Sequence, residues 1–585
     1  MFSSPFVPKI SRKMHSILAY ILALGLAAQA IPIEDRAAGP AVKIQNGTVV
    51  GSSSLGVDSF KGIPFAEPPT GTRRLKPPQT VSATFGTLQA TANPPACPQF
   101  FSQTNTSSLP SDVLGELANT PLFQAIDSQS EDCLFISVQR PAGTASNAKL
   151  PVLFWIFGGG FEFGSSGMYD GSNIITKSVS LNAPVIYVAV SYRVAGFGFL
   201  AGSQLSNEGS TNLGLRDQRL GLQWVAENIA AFGGDPSKVT IWGESAGAIS
   251  VFDQTIINGG DNTYKGQPLF RGAIMDSGSV TPADPVTAPQ AQAIFNTVAQ
   301  NAGCGGSSDV LACLRAAPYQ KFLDATTSVP GIFSYRSLDL SYLPRPDPHD
   351  NFFSVSPEVA LGKGAYAKVP VINGDQQDEG TLFSLGLSNI STNAQFTDYF
   401  ASYFPGNPNA HSDVAGLLAQ YPDQPLLGQP AGSPFNTGAL NNIYPQYKRI
   451  AAVLGDTVFT LTRRVYLSTV SKQVKAWSYL NTYFYGTPVL GTFHASDILV
   501  AYGEAGLEAG IDAQTVQQYY ISFVNHLDPN ALGTATPLIQ WPQWSNTGGT
   551  PQLVDFAAAG LSLTPDTFRS GAYDYLATRT SNFRV

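Results

Sequence analysis

The sequence feature that most constrains the fold is a single G-x-S-x-G motif, GESAG at residues 243–247. An apolar, β-branched run at residues 239–242 precedes it, and small residues that suit the start of a helix follow it. A serine placed between a strand and a helix is held in a cramped backbone conformation with its hydroxyl exposed, and the flanking glycines leave room where a Cβ atom would clash. The motif therefore predicts a strand–turn–helix unit with Ser245 as a candidate nucleophile.

Composition describes a large globular chain that is acidic and sparsely charged. Hydrophobic residues make up 43% of the 585 positions, enough for a sizeable core, and charged residues make up 13%. The net charge is −8 and no basic cluster occurs beyond the first thirty residues, which argues against a nucleic-acid-binding protein. No repeat or long linker divides the chain, so residues 31–585 are expected to form a single domain.

The amino terminus has the three parts of a secretory signal peptide. Basic residues precede an apolar stretch at residues 17–26, and an A-x-A cleavage site follows at residues 28–30. The apolar stretch is too short to cross a bilayer, and no later segment is long enough. We expect residues 1–30 to be removed and the remainder to be secreted, with N-glycosylation sequons at Asn46, Asn105 and Asn389.

Four cysteines follow the leader, and they predict two disulfides. An oxidising compartment favours disulfides over free thiols, and four cysteines allow three pairings. Loops between nearest neighbours close at the lowest entropic cost, which favours Cys97–Cys133 and Cys304–Cys313. No cysteine and histidine spacing indicates a metal site, and no metal or organic cofactor is expected.

Apolar β-rich runs alternate with helical stretches along the chain. The runs at 151–157 and 184–190 are nearly continuous, as in strands buried on both faces, and a helical periodicity covers 220–231. This alternation predicts an α/β fold with a mostly parallel central sheet and helices on both faces. Further strands are expected at 239–242, 272–275 and 369–372, and helical excursions above the sheet at about 281–360 and 391–470.

A serine nucleophile needs a base, and three histidines are candidates for it. In hydrolases with this elbow the chain order is serine, acid, histidine, which leaves His411, His494 and His526. His494 lies in a small-residue turn after an apolar stretch, whereas His411 lies in a polar loop and His526 in an apparent helix. The context favours His494.

The acid that orients the histidine is left open by the residues alone. The strand at 369–372 is followed by GDQQDEGT, residues 374–381, which contains Asp375, Asp378 and Glu379. A carboxylate at the end of this strand could reach a histidine in the next loop. The three residues remain alternatives at this point.

A triple glycine supplies candidate donors for an oxyanion hole. Gly158, Gly159 and Gly160 follow the strand at 151–157, and their N–H groups can turn inward because no side chain obstructs them. The N–H of Ala246, next after the candidate nucleophile, is the expected additional donor.

Together these motifs resemble the type-B carboxylesterase/lipase family, which includes the cholinesterases. The similarity is greatest to the secreted yeast and fungal lipases of that family, and it extends over nearly the whole mature chain. Besides the elbow, the matching segments are KGIPFAEPP (61–69), SEDCL (130–134), WIFGGGFE (155–162), GLRDQ (214–218), FGGDP (232–236), SYLPRP (341–346), GDQQDEGT (374–381) and GTFH (491–494).

The resemblance implies an α/β-hydrolase fold with helical insertions that form a cap and a lid. Two positions depart from the pattern of many relatives: Phe157 replaces a histidine before the triple glycine, and Asp276 replaces a glutamine. The resemblance also implies the two disulfides favoured above. It assigns catalytic roles to Ser245, Glu379 and His494, oxyanion-hole roles to Gly159, Gly160 and Ala246, and substrate-binding roles to Phe161, Leu382 and Phe383.

The resemblance further makes the loop at about 97–133 a lid. Its residues support this independently, because a predicted helix in the loop has one apolar face that a swinging loop could expose at a lipid surface.

The implied function is a secreted serine ester hydrolase that cleaves long-chain fatty acid esters, triacylglycerols or sterol esters, through an acyl-enzyme at a lipid–water interface. The alternative is a carboxylesterase for soluble short-chain or aromatic esters. A more distant alternative is a non-catalytic, cholinesterase-like binding protein. The presence of Ser245, Glu379 and His494 together argues against the last of these.

Overall fold

A twelve-stranded, mostly parallel sheet organises the chain. The computed structural model describes residues 39–100, 128–424, 442–483, 487–503, 512–533 and 538–585. The predicted signal peptide (1–30), Asn105 and most of the predicted lid (101–127) lie outside these described residues.

The strands, numbered in chain order, form this sheet and two small ones. They are β1 Ala41–Ile44, β2 Gly47–Val50, β3 Ser52–Ser54, β4 Val57–Pro64, β5 Gly86–Gln89, β6 Phe135–Pro141, β7 Leu150–Ile156, β8 Ile186–Val190, β9 Gly234–Glu244, β10 Thr263–Tyr264, β11 Gln267–Pro268, β12 Gly272–Asp276, β13 Val371–Gln376, β14 Ala476–Trp477, β15 Tyr479–Asn481, β16 Gln552–Ala557 and β17 Gly560–Pro565.

The large sheet has the order β17-β16-β15-β13-β12-β9-β7-β8-β6-β4-β3, and β14 also pairs with β13. Strands from β16 to β8 run parallel to their neighbours, and the pairs at both edges are antiparallel. Every residue of β8 and all but the first of β7 are buried, as their continuous apolar sequences predict. The expected α/β architecture is therefore confirmed.

Helices cover both faces of the sheet. Helix α5 packs along β9 and β12, and α15 packs against β7 and β9. The helices are α1 Ser172–Ser180, α2 Ala195–Gly198, α3 Ser203–Glu208, α4 Leu213–Asn228, α5 Ala246–Ile256, α6 Pro289–Asn301, α7 Val310–Ala316, α8 Tyr319–Thr326, α9 Pro357–Gly362, α10 Asn393–Ala401, α11 Ala410–Leu418, α12 Tyr447–Gly455, α13 Leu461–Val470, α14 Asp497–Ala501, α15 Asp512–His526 and α16 Ser570–Ala577.

Helix α4 starts seven residues before the position that its apolar periodicity predicts. Its first two turns carry polar side chains that are buried by pairing within the protein. Asp217 accepts hydrogen bonds from the Arg193 guanidinium at 2.7 and 2.8 Å, and Gln218 donates to Ser250 Oγ at 3.0 Å. A hydrophobicity pattern does not register a helix face that is buried through polar pairs.

Two disulfides join the cysteines as the nearest-neighbour argument predicts. Cys97 pairs with Cys133 and Cys304 with Cys313, with Cα–Cα distances of 4.9 and 5.7 Å. The first bond closes the loop that contains the predicted lid. In the described part of the chain, no helix is long and apolar enough to cross a membrane.

Candidate active site

Ser245 occupies the sharp turn between strand β9 and helix α5. Its backbone has φ 58° and ψ −126°, a conformation that a residue with a side chain rarely adopts. The glycines on either side allow the turn, because a Cβ atom on Gly247 would collide with the carbonyl oxygen of Ile156 and one on Gly243 would lie 2.5 Å from the Gly247 backbone. This is the strand–turn–helix unit that the motif predicts.

A hydrogen-bonded chain runs from the serine through a histidine to a glutamate. His494 Nε2 lies 2.7 Å from Ser245 Oγ, and His494 Nδ1 lies 2.5 Å from Glu379 Oε2. All three side chains are buried. A serine, a base and an orienting carboxylate at these separations form the arrangement that activates a hydroxyl nucleophile.

The loop after β13 positions both the glutamate and the histidine. The Gln376 N–H donates to Glu379 Oε1 at 2.7 Å, which fixes the carboxylate. Two hydrogen bonds join this loop to the loop that carries His494. Asp378 N–H donates to the Thr492 carbonyl oxygen at 2.8 Å, and Thr492 N–H donates to Asp378 Oδ2 at 2.7 Å. These contacts hold the histidine loop two residues before His494.

The geometry separates the alternatives that the residues alone leave open. Asp375 lies 2.5 Å from the Arg463 guanidinium and Asp378 holds the Thr492 backbone, so only Glu379 of the three contacts the histidine. His411 and His526 are both exposed, whereas Ser245 is buried.

The triple glycine lies against the serine with open N–H groups. Gly159 and Gly160 have positive φ angles of 105° and 62°, and a Cβ atom on Gly158 would lie 2.9 Å from Ser245 Cβ. Neither Gly159 N–H nor Gly160 N–H donates to an acceptor among the described residues. Ala246 is the first residue of α5, so its N–H lacks an intrahelical acceptor.

A cluster of buried carboxyl groups lies beneath the histidine. Glu244 Oε1 is 3.3 Å from His494 Nε2, yet neither Glu244 oxygen makes a hydrogen bond to a described residue. Burial, and then the nearby carboxylates of Asp497, Glu379 and Asp276, raise the pKa of Glu244 well above its usual range. Burial therefore disfavours the charged form of Glu244, whereas Glu379 is the carboxyl that makes a hydrogen-bonded contact with the imidazole.

Asp276, one of the two departures from the pattern of many relatives, has a structural role in this cluster. It accepts hydrogen bonds from Trp242 Nε1 at 2.6 Å and from the Tyr520 hydroxyl at 2.7 Å. Burial raises its pKa to about 6, against the effect of these donors. The aspartate thus links β12 to β9 and α15.

An apolar cavity opens from the serine. Of the three predicted substrate-binding residues, Phe161 and Phe383 line it and Leu382 does not, because neighbouring residues of the 3₁₀ turn Leu382–Ser384 project in directions about 120° apart. Besides these two phenylalanines, the lining residues are Gly160, Ser245, Ala246, Ile249, Asp253, Thr281, Pro282, Ile332, Leu338, Leu340, Leu343, Pro344, Phe400, Tyr403, Phe404, Thr457, Val458, Phe459, Phe583 and Val585.

Most of the lining residues were not found by sequence reasoning, and two of them lie next to predicted site residues. The Phe459 ring centroid lies 4.5 Å from that of His494, and Phe459 belongs to the π-helical turn Asp456–Thr460, for which the sequence carries no signal. Ile332 lies over Gly160, and its N–H donates to Glu162 Oε2 at 2.8 Å. Both come from the long helical excursions, where sequence patterns indicate only coarse structure.

Two of the three predicted glycosylation sites fall among the described residues. Asn389 is exposed, whereas Asn46 is partly buried and its Nδ2 donates to the carbonyl oxygens of Val81 and Ala83 at 3.2 and 3.1 Å. Occupancy of these sites stays a prediction. Within the described ranges, no group of His, Cys, Asp or Glu side chains is arranged to hold a metal ion.

The elbow, the buried serine–histidine–glutamate chain and the mostly parallel sheet together define an α/β-hydrolase-type ester hydrolase. The chain belongs to the carboxylesterase family, whose sequence model matches residues 38–560.

Similar proteins agree with this assignment. The chain is 53% identical to "Secreted lipase 1" of Botryotinia fuckeliana over 573 residues, which cover 97% of this chain and 98% of the relative. It is 50% identical to "Secreted triacylglycerol lipase LIP1" of Gibberella zeae over 551 residues, 93% and 91% of the two chains. Its structure matches that of Aspergillus niger EstA with a TM-score of 0.76 at 26% identity, covering 94% and 99% of the chains.

Proposed function

We propose that this chain is a secreted triacylglycerol lipase in which Ser245, His494 and Glu379 form the catalytic triad. The observation that carries the proposed chemistry is the hydrogen-bonded chain from Ser245 Oγ through His494 to Glu379, with separations of 2.7 and 2.5 Å. The substrate class is supported by the apolar cavity at the serine and by the names of the two relatives. Secretion is supported by those names and by the predicted signal peptide.

The proposed reaction has two half-reactions. Ser245 Oγ attacks the ester carbonyl carbon while His494 Nε2 takes the hydroxyl proton, and His494 then returns this proton to the leaving alcohol oxygen. Water enters, loses a proton to His494 and cleaves the acyl-enzyme, which releases the fatty acid and restores the serine hydroxyl. Glu379 holds the imidazole in place and stabilises its protonated form.

The oxyanion of each tetrahedral intermediate would be bound by three backbone N–H groups, those of Gly159, Gly160 and Ala246. Their open donors and their position beside Ser245 support this role. Each such donor contributes about 3 kcal/mol at a transition state, because it is oriented before the charge develops.

Hydrolysis of matched glycerol esters tests the proposed substrate class. Tributyrin and triolein are compared over concentrations that cross the solubility limit of each, with Ser245→Ala as the matched inactive control. We expect the rate to rise on the long-chain emulsion, because the apolar cavity accommodates an acyl chain. Saturation below the solubility limit with a preference for tributyrin would instead indicate a carboxylesterase for soluble esters.

A further inference from the structure

One face of helix α5 lines the apolar cavity and carries an acidic residue in its third turn. Ala246, Ile249 and Asp253 all line the cavity, and their spacing of three and four residues places them on the same helix face. Alanine and isoleucine fit an apolar wall. A fully buried aspartate at the next position of this stripe needs a separate explanation.

Asp253 makes no hydrogen bond inside the described part of the protein. Both of its carboxyl oxygens are buried without a described partner, and so is the hydroxyl oxygen of Thr281, which lines the same cavity. Buried polar groups in folded proteins nearly always have a hydrogen-bond partner, because leaving one unpaired is costly. Two unpaired groups on the wall of one cavity indicate that the partner is a molecule inside the cavity.

The protonation state of Asp253 determines which partner fits. Burial raises the pKa of its carboxyl well above the usual range, and no positive charge opposes this shift. Burial thus favours the protonated carboxylic acid, a form that can both donate and accept a hydrogen bond. Thr281 Oγ1 can do the same. Such a pair fits a neutral hydroxyl group and does not fit a second anion.

We propose that Asp253 and Thr281 form a polar subsite that binds a hydroxyl group on the acyl chain of the substrate, so that the preferred esters are those of mid-chain hydroxy fatty acids. This inference rests on the proposed function, because it requires the cavity to hold a long acyl chain. It goes beyond that function by giving the cavity a chemical specificity that an entirely apolar pocket lacks.

The helix geometry gives the position of the hydroxyl along the chain. Asp253 follows Ser245 by eight residues, and at about 1.5 Å per residue their Cα atoms lie about 12 Å apart along the helix axis. An extended acyl chain, with carbon–carbon bonds of about 1.5 Å in a zigzag, spans that distance with roughly ten carbons. The favoured hydroxyl therefore lies near the middle of a sixteen- to eighteen-carbon chain.

The test compares p-nitrophenyl esters of palmitic acid with those of 3-hydroxy-, 10-hydroxy- and 16-hydroxypalmitic acid. For each ester we measure kcat/KM and divide it by the value for palmitate. We expect a ratio of about ten for the 10-hydroxy ester, which corresponds to about one hydrogen bond gained, and ratios near or below one for the other two. A ratio of one or less at every hydroxyl position would overturn the proposal.

Variants test whether Asp253 causes the preference for the 10-hydroxy ester. Asp253→Leu removes both hydrogen-bonding oxygens and is expected to bring the 10-hydroxy ratio to about one or below. Asp253→Asn keeps a donor and an acceptor and is expected to retain part of the preference. Ile249→Leu, on the same helix face, is the control that should keep the ratio. An unchanged ratio in Asp253→Leu would contradict the assignment. If this variant fails to fold, the comparison of the three hydroxyl positions on the wild-type protein still tests the proposal.

The outcomes also separate this inference from the function on which it rests. Efficient hydrolysis of palmitate without a gain for any hydroxyl position overturns the polar subsite and leaves the lipase function intact. Hydrolysis confined to butyrate esters, with none of palmitate or its hydroxy derivatives, overturns both.

Discussion

At the scale of single residues, two glutamates contact His494 but differ in their surroundings. Glu379 contacts His494 Nδ1 and is itself fixed by the Gln376 N–H. Glu244 lies 3.3 Å from His494 Nε2, makes no hydrogen bond to a described residue and has a raised pKa. The first contact is suited to stabilise an imidazolium, whereas burial disfavours the charged form of the second glutamate.

Glutamine substitutions distinguish these two roles. Glu379→Gln removes the charge that stabilises the protonated histidine, and we expect kcat to fall by about a thousandfold or more. Glu244→Gln replaces a carboxyl whose charged form burial disfavours by an amide of the same size, and we expect kcat to stay within about tenfold of wild type. Steady-state kinetics on a p-nitrophenyl ester measure both. Equal losses in the two variants would contradict the assignment of different roles to the two glutamates.

At the scale of elements, the site is assembled where the carboxyl ends of the central strands meet. Strand β9 ends at the elbow, β7 ends at the triple glycine, and the loop after β13 supplies Glu379. Gly247, the first glycine inside helix α5, lets the helix approach the end of β7 because a side chain there would collide with the Ile156 carbonyl oxygen. The positions of the proposed nucleophile and of the proposed oxyanion donors therefore depend on one close backbone contact.

Replacing Gly247 by alanine tests that contact. Intrinsic helix propensity favours alanine over glycine by about 1 kcal/mol, whereas overpacking costs about 1–3 kcal/mol. We expect the contact to dominate, so that Gly247→Ala lowers the free energy of unfolding and kcat together. Gly306→Ala is the control, because a Cβ atom there meets no atom within 4 Å. A more stable Gly247→Ala protein, as propensity alone predicts, would contradict this account.

The sequence predicts the elements that depend on residues close together in the chain. It indicates only approximately those that depend on contacts between distant residues. The elbow, the buried strands and the triple glycine have patterns confined to a few residues. The order of motifs leaves three candidate histidines, and the local context favours His494 among them. The choice among Asp375, Asp378 and Glu379 depends on contacts with Arg463 and Thr492, which are distant in sequence. Side chains such as Phe459 reach the site from long excursions, and no local pattern records such a contact.

At the scale of the whole molecule, buried acids control how stability varies with pH. Burial raises the pKa of Glu162 to about 8 and that of Asp276 to about 6, and it raises those of Asp253 and Asp497 well above the usual range. Each of these groups stays protonated in the folded chain at pH values where the unfolded chain has lost the proton. The folded state then binds more protons, and its stability falls as pH rises.

We therefore expect the free energy of unfolding to be greatest at mildly acidic pH and to fall as the pH rises from about 4.5 to 8. Each such group contributes a slope of about 1.4 kcal/mol per pH unit between its unfolded and folded pKa values. Below that range the trend reverses, because the pKa of Asp566 is lowered by Arg463 and Arg464 and its protonation removes these ion pairs. Denaturant unfolding at a series of pH values measures the profile.

Glu162→Gln isolates one contribution to this profile. The amide cannot ionise, so the variant should lose the part of the slope that lies between about pH 4.5 and 8. A wild-type stability that rises steadily from pH 5 to 8 would contradict the sign of the argument.

The central claim is that Ser245 is the nucleophile activated by His494, and covalent labelling tests it most directly. The protein is treated with a long-chain alkyl p-nitrophenyl phosphonate, the released nitrophenolate is counted, and the adduct is located by peptide mass spectrometry. The account predicts one nitrophenolate per chain, an adduct on Ser245 alone, and slow or absent labelling of His494→Ala. An adduct on another residue, or full esterase activity in Ser245→Ala, would contradict it.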